Sequence, residues 1–331
     1  MTIPSGSHTI SRANPTRPAR WHRVLAVITA ASMALLIGSC AQMPSTGITS
    51  IVFQPRDKTV PVLEGEAVQE QVVEKRIGVD QFRLRGPFTV TTREGQFLRL
   101  SAKERIPADF YLSSETRNAP LVILLHGYNN GKADHAYQGM HLATWGMNSI
   151  VLQLPNRGSW INHGRTLARI VDFIRKRPSD FPNADVRRIV LVGHSFGASA
   201  VAYALAQGAQ VSGAVMLDPA AFGAALPAAL VKVNKPVLVL GADEEVFPAR
   251  GREQFFRSIR ENVAELSIRN AGHEDAQFRL RDDTSREEQM DFLSALTSAV
   301  ISISSTSRLD YAWQSYEPAI AAQRFFDARK K

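Results

Sequence analysis

The chain has 331 residues, 44% of them hydrophobic, and a formal net charge of +8. That apolar content is ample for a buried core, and no internal repeat or long polar tract interrupts it. Residues 1–39 hold four Arg and no Lys, Asp or Glu, so the remainder carries +4. These basic residues are scattered and lack aromatic interleaving, which argues against nucleic-acid binding.

Arg12, Arg17, Arg20 and Arg23 precede an apolar stretch from Val24 to Ile37. The stretch is too short for a comfortable membrane span and has the polarity of a secretory signal. It closes on Ile37-Gly38-Ser39-Cys40, and Cys40 is the single cysteine of the chain. Small residues before a cysteine resemble the lipobox of bacterial lipoproteins, whose cysteine thiol receives a diacylglyceryl group and becomes the new N-terminus. The expectation is a lipoprotein-type signal peptide over 1–39 and a lipidated Cys40 with its tether over 40–50. The folded domain would then be exported and held on a bacterial membrane, facing the periplasm or the exterior, since several acyl chains suffice for stable anchoring. An ordinary signal peptide and an uncleaved anchor are the alternatives; the anchor also leaves the domain outside the cytoplasm.

From residue 51 to about 112 the pattern predicts short strands and turns. Phe88-Thr89-Val90-Thr91 and Phe97-Leu98-Arg99-Leu100 flank Arg93-Glu94-Gly95-Gln96 and read as a hairpin, followed by a strand at Asp109-Phe110-Tyr111-Leu112. Leu121 to Leu125 is a continuous apolar run, as expected of a strand covered on both faces. Residues 136–145 predict a helix and 150–152 a strand. Over 166–176, Leu167, Ile170, Val171 and Ile174 follow the helical period, with Pro178 just beyond. Further strands are expected at 189–192, 214–217, 237–240 and 264–268. Helices are expected at 198–207, 251–262 and 285–302. Alternating strands and helices imply a mostly parallel central sheet with helices on both faces. The domain is expected over 51–304, and the tail 305–331 has no clear pattern.

The strand at 189–192 runs into Gly193-His194-Ser195-Phe196-Gly197, and an alanine-rich helix follows. Strand, Gly-x-Ser-x-Gly, helix is the arrangement of a nucleophile elbow, with Ser195 at its apex. Side chains at 193 or 197 would collide with the neighbouring strand and helix. A serine hydroxyl needs a base, and the base needs an orienting carboxylate. His273, in Asn270-Ala271-Gly272-His273, follows the last strand of the run and is the expected base. His135, His141 and His163 precede the nucleophile, and His194 is expected to point away from the site. Asp218, after the strand ending at Leu217, is the favoured acid, because a lone carboxylate at a buried strand end needs a partner. Asp243 and Glu244, after the strand ending at Leu240, are the alternative acids. The oxyanion is expected to meet the backbone N–H groups of Phe196 and of Tyr128, which follows His126-Gly127.

Leu125-His126-Gly127, the elbow, Leu217-Asp218-Pro219 and Gly272-His273 together resemble the capless lipase and esterase branch of the α/β-hydrolases. That branch contains platelet-activating-factor acetylhydrolases, plant chlorophyllases and cutinase-type polyester hydrolases. The resemblance covers about residues 85–300. It implies the α/β-hydrolase fold, class α/β, and hydrolysis of a carboxylic ester through an acyl-enzyme. In the first two groups the acid falls where Asp218 stands; in the polyester hydrolases it falls at 243–244. The latter often carry a disulfide near the catalytic histidine, and this chain has no cysteine there. Only 19 residues separate Leu217 from Val237, too few for a large cap. An open site is expected, with Tyr128, Trp160 and Phe222 on its rim and residues 155–165 as a flap; a core position for Trp160 and simple packing for Tyr128 are the alternatives. The expected partner is a short-acyl or lipid-like ester. No cofactor and no metal are expected, since the histidines lack paired ligand spacing. A non-catalytic envelope binding protein with this fold, and an amidase or peptidase using the same triad, are the rival readings.

Overall fold

In the computed structural model, the residues described are 78–243, 251–279 and 284–331. The expected signal peptide, Cys40 and its tether, and Glu244, lie outside them. Nine strands form one sheet in the order β1-β2-β4-β3-β5-β6-β7-β8-β9. They are β1 (Val90–Arg99), β2 (Arg105–Ser113), β3 (Ala119–Leu125), β4 (Asn148–Leu152), β5 (Ala184–His194), β6 (Gly213–Leu217), β7 (Val237–Gly241), β8 (Val263–Ile268) and β9 (Phe325–Lys330). Strands β3 to β8 are parallel; β1, β2 and β9 are antiparallel to their neighbours.

Strict alternation in the central strands explains the layering. Leu121, Ile123 and Leu125 of β3 join one buried cluster, while Val122 and Leu124 join the other. The first cluster takes in α2 (Trp160–Lys176), α3 (Phe196–Ala206), α4 (Ala225–Leu230) and α5 (Gly251–Ser258). The second takes in α1 (Ala136–Thr144), α6 (Arg286–Thr306) and α7 (Asp310–Ala321). Every residue of β6 and β7 is buried, the pattern of strands covered on both faces. Full burial of one such Val or Leu side chain is worth roughly 1.5–3 kcal/mol. A single charge placed on these strands would have no water to meet.

Three expectations change. The hairpin at 93–96 is instead a bulge within one long strand. Between the pairs Arg93↔Phe110 and Gln96↔Ala108, β1 carries one residue more than β2. Gly95 takes φ +64 there, and its N–H donates to Asp109 Oδ1 at 2.7 Å. The chain turns later, where the N–H groups of Leu100 and Ser101 reach Glu104 O. Second, the helix expected from Thr166 starts at Trp160. Gly164 is buried within it, and a Cβ there would lie 2.6 Å from Ala200 O, so the glycine lets α2 close onto α3. Third, the tail 305–331 folds as α7 and β9. Strand β9 pairs with β8 and closes the sheet edge, and Phe325 beside Ile268 is fully buried. Between β6 and β7 lies only the short helix α4, so the region holds no large cap.

Candidate active site

The carboxyl ends of β3, β5, β6 and β7 and the loop after β8 gather the residues singled out above. Strand β5 ends at His194, and Ser195 takes φ 54 and ψ −120 before α3 begins at Phe196. This left-handed backbone is uncommon for a residue with a side chain and costs of order 1–3 kcal/mol. Its surroundings hold it. Ser195 N–H donates to Leu217 O at 3.0 Å, and Ser195 O accepts from Ala220 N–H at 3.2 Å. A Cβ on Gly197 would lie 2.5 Å from Leu125 O, and one on Gly193 would lie 2.4 Å from Gly197 O. Backbone meets backbone at both places, so neither neighbour can move aside.

Asp218 follows β6 and is itself at positive φ, 36°. Its N–H donates to Leu240 O at 2.7 Å, fixing it to the end of β7. Both carboxylate oxygens are engaged. Oδ1 accepts the Ala242 N–H at 3.0 Å, and Oδ2 meets His273 Nδ1 at 2.5 Å. His273 opens a tight turn, His273–Ala276, behind β8. Asp275 staples that turn: its carboxylate accepts from Gly272 N–H at 2.8 Å and from Ser285 N–H at 2.6 Å. Gln138 of α1 donates to Ala276 O at 3.0 Å. Burial on its own would lower the His273 pKa; the hydrogen bond and charge of Asp218, with a smaller contribution from Glu274, outweigh it and raise it above the ordinary value.

Asp243 is engaged elsewhere. Its Oδ2 accepts the Asn270 N–H at 2.9 Å and lies 3.8 Å from Arg269 Nη1. It ties the β7 end to the loop ahead of His273 and makes no contact with the imidazole among the described residues.

The loop after β3 presses against Ser195. A Cβ on Gly127 would lie 2.8 Å from Ser195 Cβ, so only glycine admits this approach. His126 is buried; its Nδ1 lies 2.8 Å from Gly127 O, and its Nε2 lies 3.0 Å from Leu154 O and 3.2 Å from Leu154 N. The Asn129 and Asn130 N–H groups turn to Asn156 O and Gly127 O. No acceptor among the described residues meets the Tyr128 N–H. The Phe196 N–H stands in the first turn of α3, where helix N–H groups point out of the helix.

Two of the three expected rim residues are at the surface. Tyr128 is 48% and Phe222 57% exposed. Their rings flank Phe196, with centroids 5.8 and 5.9 Å away. Trp160 is the correction: it is 8% exposed, belongs to the core, and packs edge-on against Tyr203 at 6.0 Å. As the first residue of α2 it faces inward, so the expected flap reduces to the loop 155–159. His194 is a second correction. It turns toward His273, with ring centroids 4.5 Å apart. Five residues do not disclose this, because the contact is made 79 positions away. His135 and His141 are core residues whose pKa values burial lowers to about 4, and His163 is likewise lowered by burial.

Sheet order, elbow and strand-end loops define a hydrolase of the α/β type. A family model described as Alpha/beta hydrolase family matches residues 122–327, more than half the chain, and the chain belongs to that family. It is similar to a bis(hydroxyethyl) terephthalate hydrolase of Streptomyces coelicolor (strain ATCC BAA-471 / A3(2) / M145). Identity is 24% over 261 residues, covering 76% of each chain. Family and relative together support hydrolysis of esters.

Proposed function

We propose that the protein is a serine carboxylic-ester hydrolase in which Ser195 is the nucleophile, His273 the base and Asp218 the orienting acid. The observation that carries this reading is the His273 Nδ1–Asp218 Oδ2 contact of 2.5 Å, beside a serine held at φ 54 on the elbow. His273 Nε2 takes the Ser195 hydroxyl proton as Oγ bonds to the ester carbonyl carbon. The carbonyl oxygen becomes an oxyanion facing the Tyr128 and Phe196 N–H groups. Collapse breaks the C–O bond, the alcohol leaves with the proton from His273, and water repeats the sequence on the acyl-enzyme.

The exposed rings of Tyr128 and Phe222 on either side of Phe196, and the short β6–β7 connection, favour small or lipid-like esters that enter from solvent. The same row of rings favours a second substrate reading, an aromatic ester such as the bis(hydroxyethyl) terephthalate named in the relative.

The test is hydrolysis of p-nitrophenyl acetate, butyrate and palmitate, and of bis(hydroxyethyl) terephthalate, by residues 41–331. The same assays on Ser195→Ala set the background. Turnover lost in Ser195→Ala by roughly 10⁴-fold or more supports the assignment; turnover retained there overturns it. The order of rates across the four esters decides between the two substrate readings. Export and lipid attachment at Cys40 are inferred from the sequence alone. Among the described residues no helix is long and apolar enough to cross a membrane. On the lipid-anchor reading, full-length protein should partition into membranes and a Cys40→Ser variant should not; equal partitioning would remove the lipid.

A further inference from the structure

His194 precedes the nucleophile, and its imidazole has no solvent exposure. Its Nε2 lies 3.1 Å from the backbone carbonyl oxygen of His273. A carbonyl only accepts, so Nε2 carries the proton and donates it. Nδ1 then holds a bare lone pair, and it has no hydrogen-bond partner. A Cβ on Gly127 would come within 3.1 Å of that nitrogen. The ring therefore adjoins Ser195 through the peptide bond and the His273 loop through its carbonyl, and a side chain at Gly127 would crowd it. A hydrophobic side chain would fill this space without the cost of burying an unpartnered ring nitrogen. The N–H donor is what an imidazole adds.

We propose that His194 is a positioning residue for the base. As the neutral Nε2–H tautomer it clamps the His273 backbone and fixes the catalytic imidazole relative to Ser195, while leaving the positive charge of the cycle to His273 alone.

The proposal rests on the reading that Ser195 and His273 act together. The titratable groups around the pair are His126 at the end of β3, His135 ahead of α1, Asp218 behind β6, and Glu274 beside His273. Burial, then His273, His135 and His126, hold the His194 pKa well below the ordinary histidine value. The Asp218 carboxylate acts on His273 in the opposite direction. Two imidazoles 4.5 Å apart thus divide the labour, one staying neutral and one taking the proton.

The variants His194→Phe and His194→Gln test it on the full chain with p-nitrophenyl butyrate, beside wild type and Ser195→Ala. Phenylalanine keeps the ring and loses the donor; glutamine restores an N–H donor. The expected result for His194→Phe is a kcat lowered by about 10- to 100-fold with KM little changed, the size of effect a slightly misplaced group produces. His194→Gln should recover most of that loss. Wild-type kcat in His194→Phe, or equal loss in both variants, overturns the proposal in favour of simple packing. Histidine ¹⁵N NMR of the wild-type protein gives a check that needs no variant. His194 should remain an Nε2–H tautomer across the pH range in which His273 titrates, and an Nδ1–H tautomer or a charged His194 there overturns the clamp. If Ser195→Ala keeps wild-type turnover, the triad reading has failed and the inference falls with it. If turnover depends on Ser195 and only the His194 outcomes go wrong, the clamp alone is lost.

Discussion

The two halves of the candidate site are held by different forces. The nucleophile elbow is fixed by backbone against backbone, with Gly193 and Gly197 approaching carbonyl oxygens where no side chain fits. The acid–base half is fixed by side chains: Asp218 on Ala242 N–H and His273, Asp275 on Gly272 and Ser285, Gln138 on Ala276 O. A steric constraint is written in contiguous residues. A polar constraint is assembled from segments far apart in the chain. The elbow therefore has one solution, while the acid has several candidates that only tertiary structure separates.

The sharpest break of this comparison is at Asp218. Asp218→Asn keeps the shape of the side chain and removes its charge, and kcat should fall by roughly 10⁴-fold, as in other triads that lose the acid. The pH profile tells whether His273 is the partner. The active base is neutral, so kcat/KM should rise with pH through the His273 pKa, which Asp218 helps to hold above the ordinary value of about 6.5. With Asn at 218 the burial of His273 remains, the hydrogen bond and charge of Asp218 go and only the smaller influence of Glu274 still raises it, so the residual activity should rise at a lower pH. Stability follows the same sign. A folded pKa above the unfolded one means that the contribution is complete below the unfolded value and is lost as pH rises through the folded value. The melting temperature gap between wild type and Asp218→Asn should therefore be widest in acid and narrow on the alkaline side. An unchanged pH profile in the variant would detach His273 from Asp218.

Gly197→Ala probes the other half. The added methyl meets Leu125 O and His126 O at 2.5 and 2.6 Å, both backbone atoms. Such overpacking costs typically about 1–3 kcal/mol, and thermal unfolding of the variant should show it. Activity should fall further than stability, because the strain enters the turn that carries Ser195. A variant as stable and active as wild type would mean that the elbow has more room than its close approaches allow.

The legible parts of the sequence follow this division. Fold class, sheet alternation and elbow depend on periods of two and 3.6 and on one five-residue motif, all local. The sequence does not place Trp160, because the close approach of Gly164 to Ala200 that carries α2 back to residue 160 is a contact between two helices. The tail was unreadable because β9 is an edge strand whose pairing partner, β8, lies in another part of the chain; alone, Phe325–Lys330 carries no alternation. The sequence does not place His194 either, because a strand-end residue has two faces, and which one meets His273 depends on where the His273 loop returns.

Asp243 gives the finest test, because it stands with Glu244 in the loop from which the polyester-hydrolase pattern would draw the acid. Here its carboxylate accepts the Asn270 N–H and faces Arg269, two groups at the surface. Removing a single hydrogen bond of this kind costs about 1 kcal/mol, and water can reach the Asn270 N–H once the carboxylate is gone. Asp243→Ala should therefore lower stability by about that amount and leave kcat within roughly threefold of wild type, since a change of about 0.65 kcal/mol in the barrier is all that a slightly loosened loop would add. The contrast with Asp218→Asn is then several orders of magnitude between two carboxylates that end neighbouring strands. A loss in Asp243→Ala that matched Asp218→Asn would mean that the working enzyme brings the 243 loop onto His273, and that the acid–base half, unlike the elbow, has a second arrangement available to it.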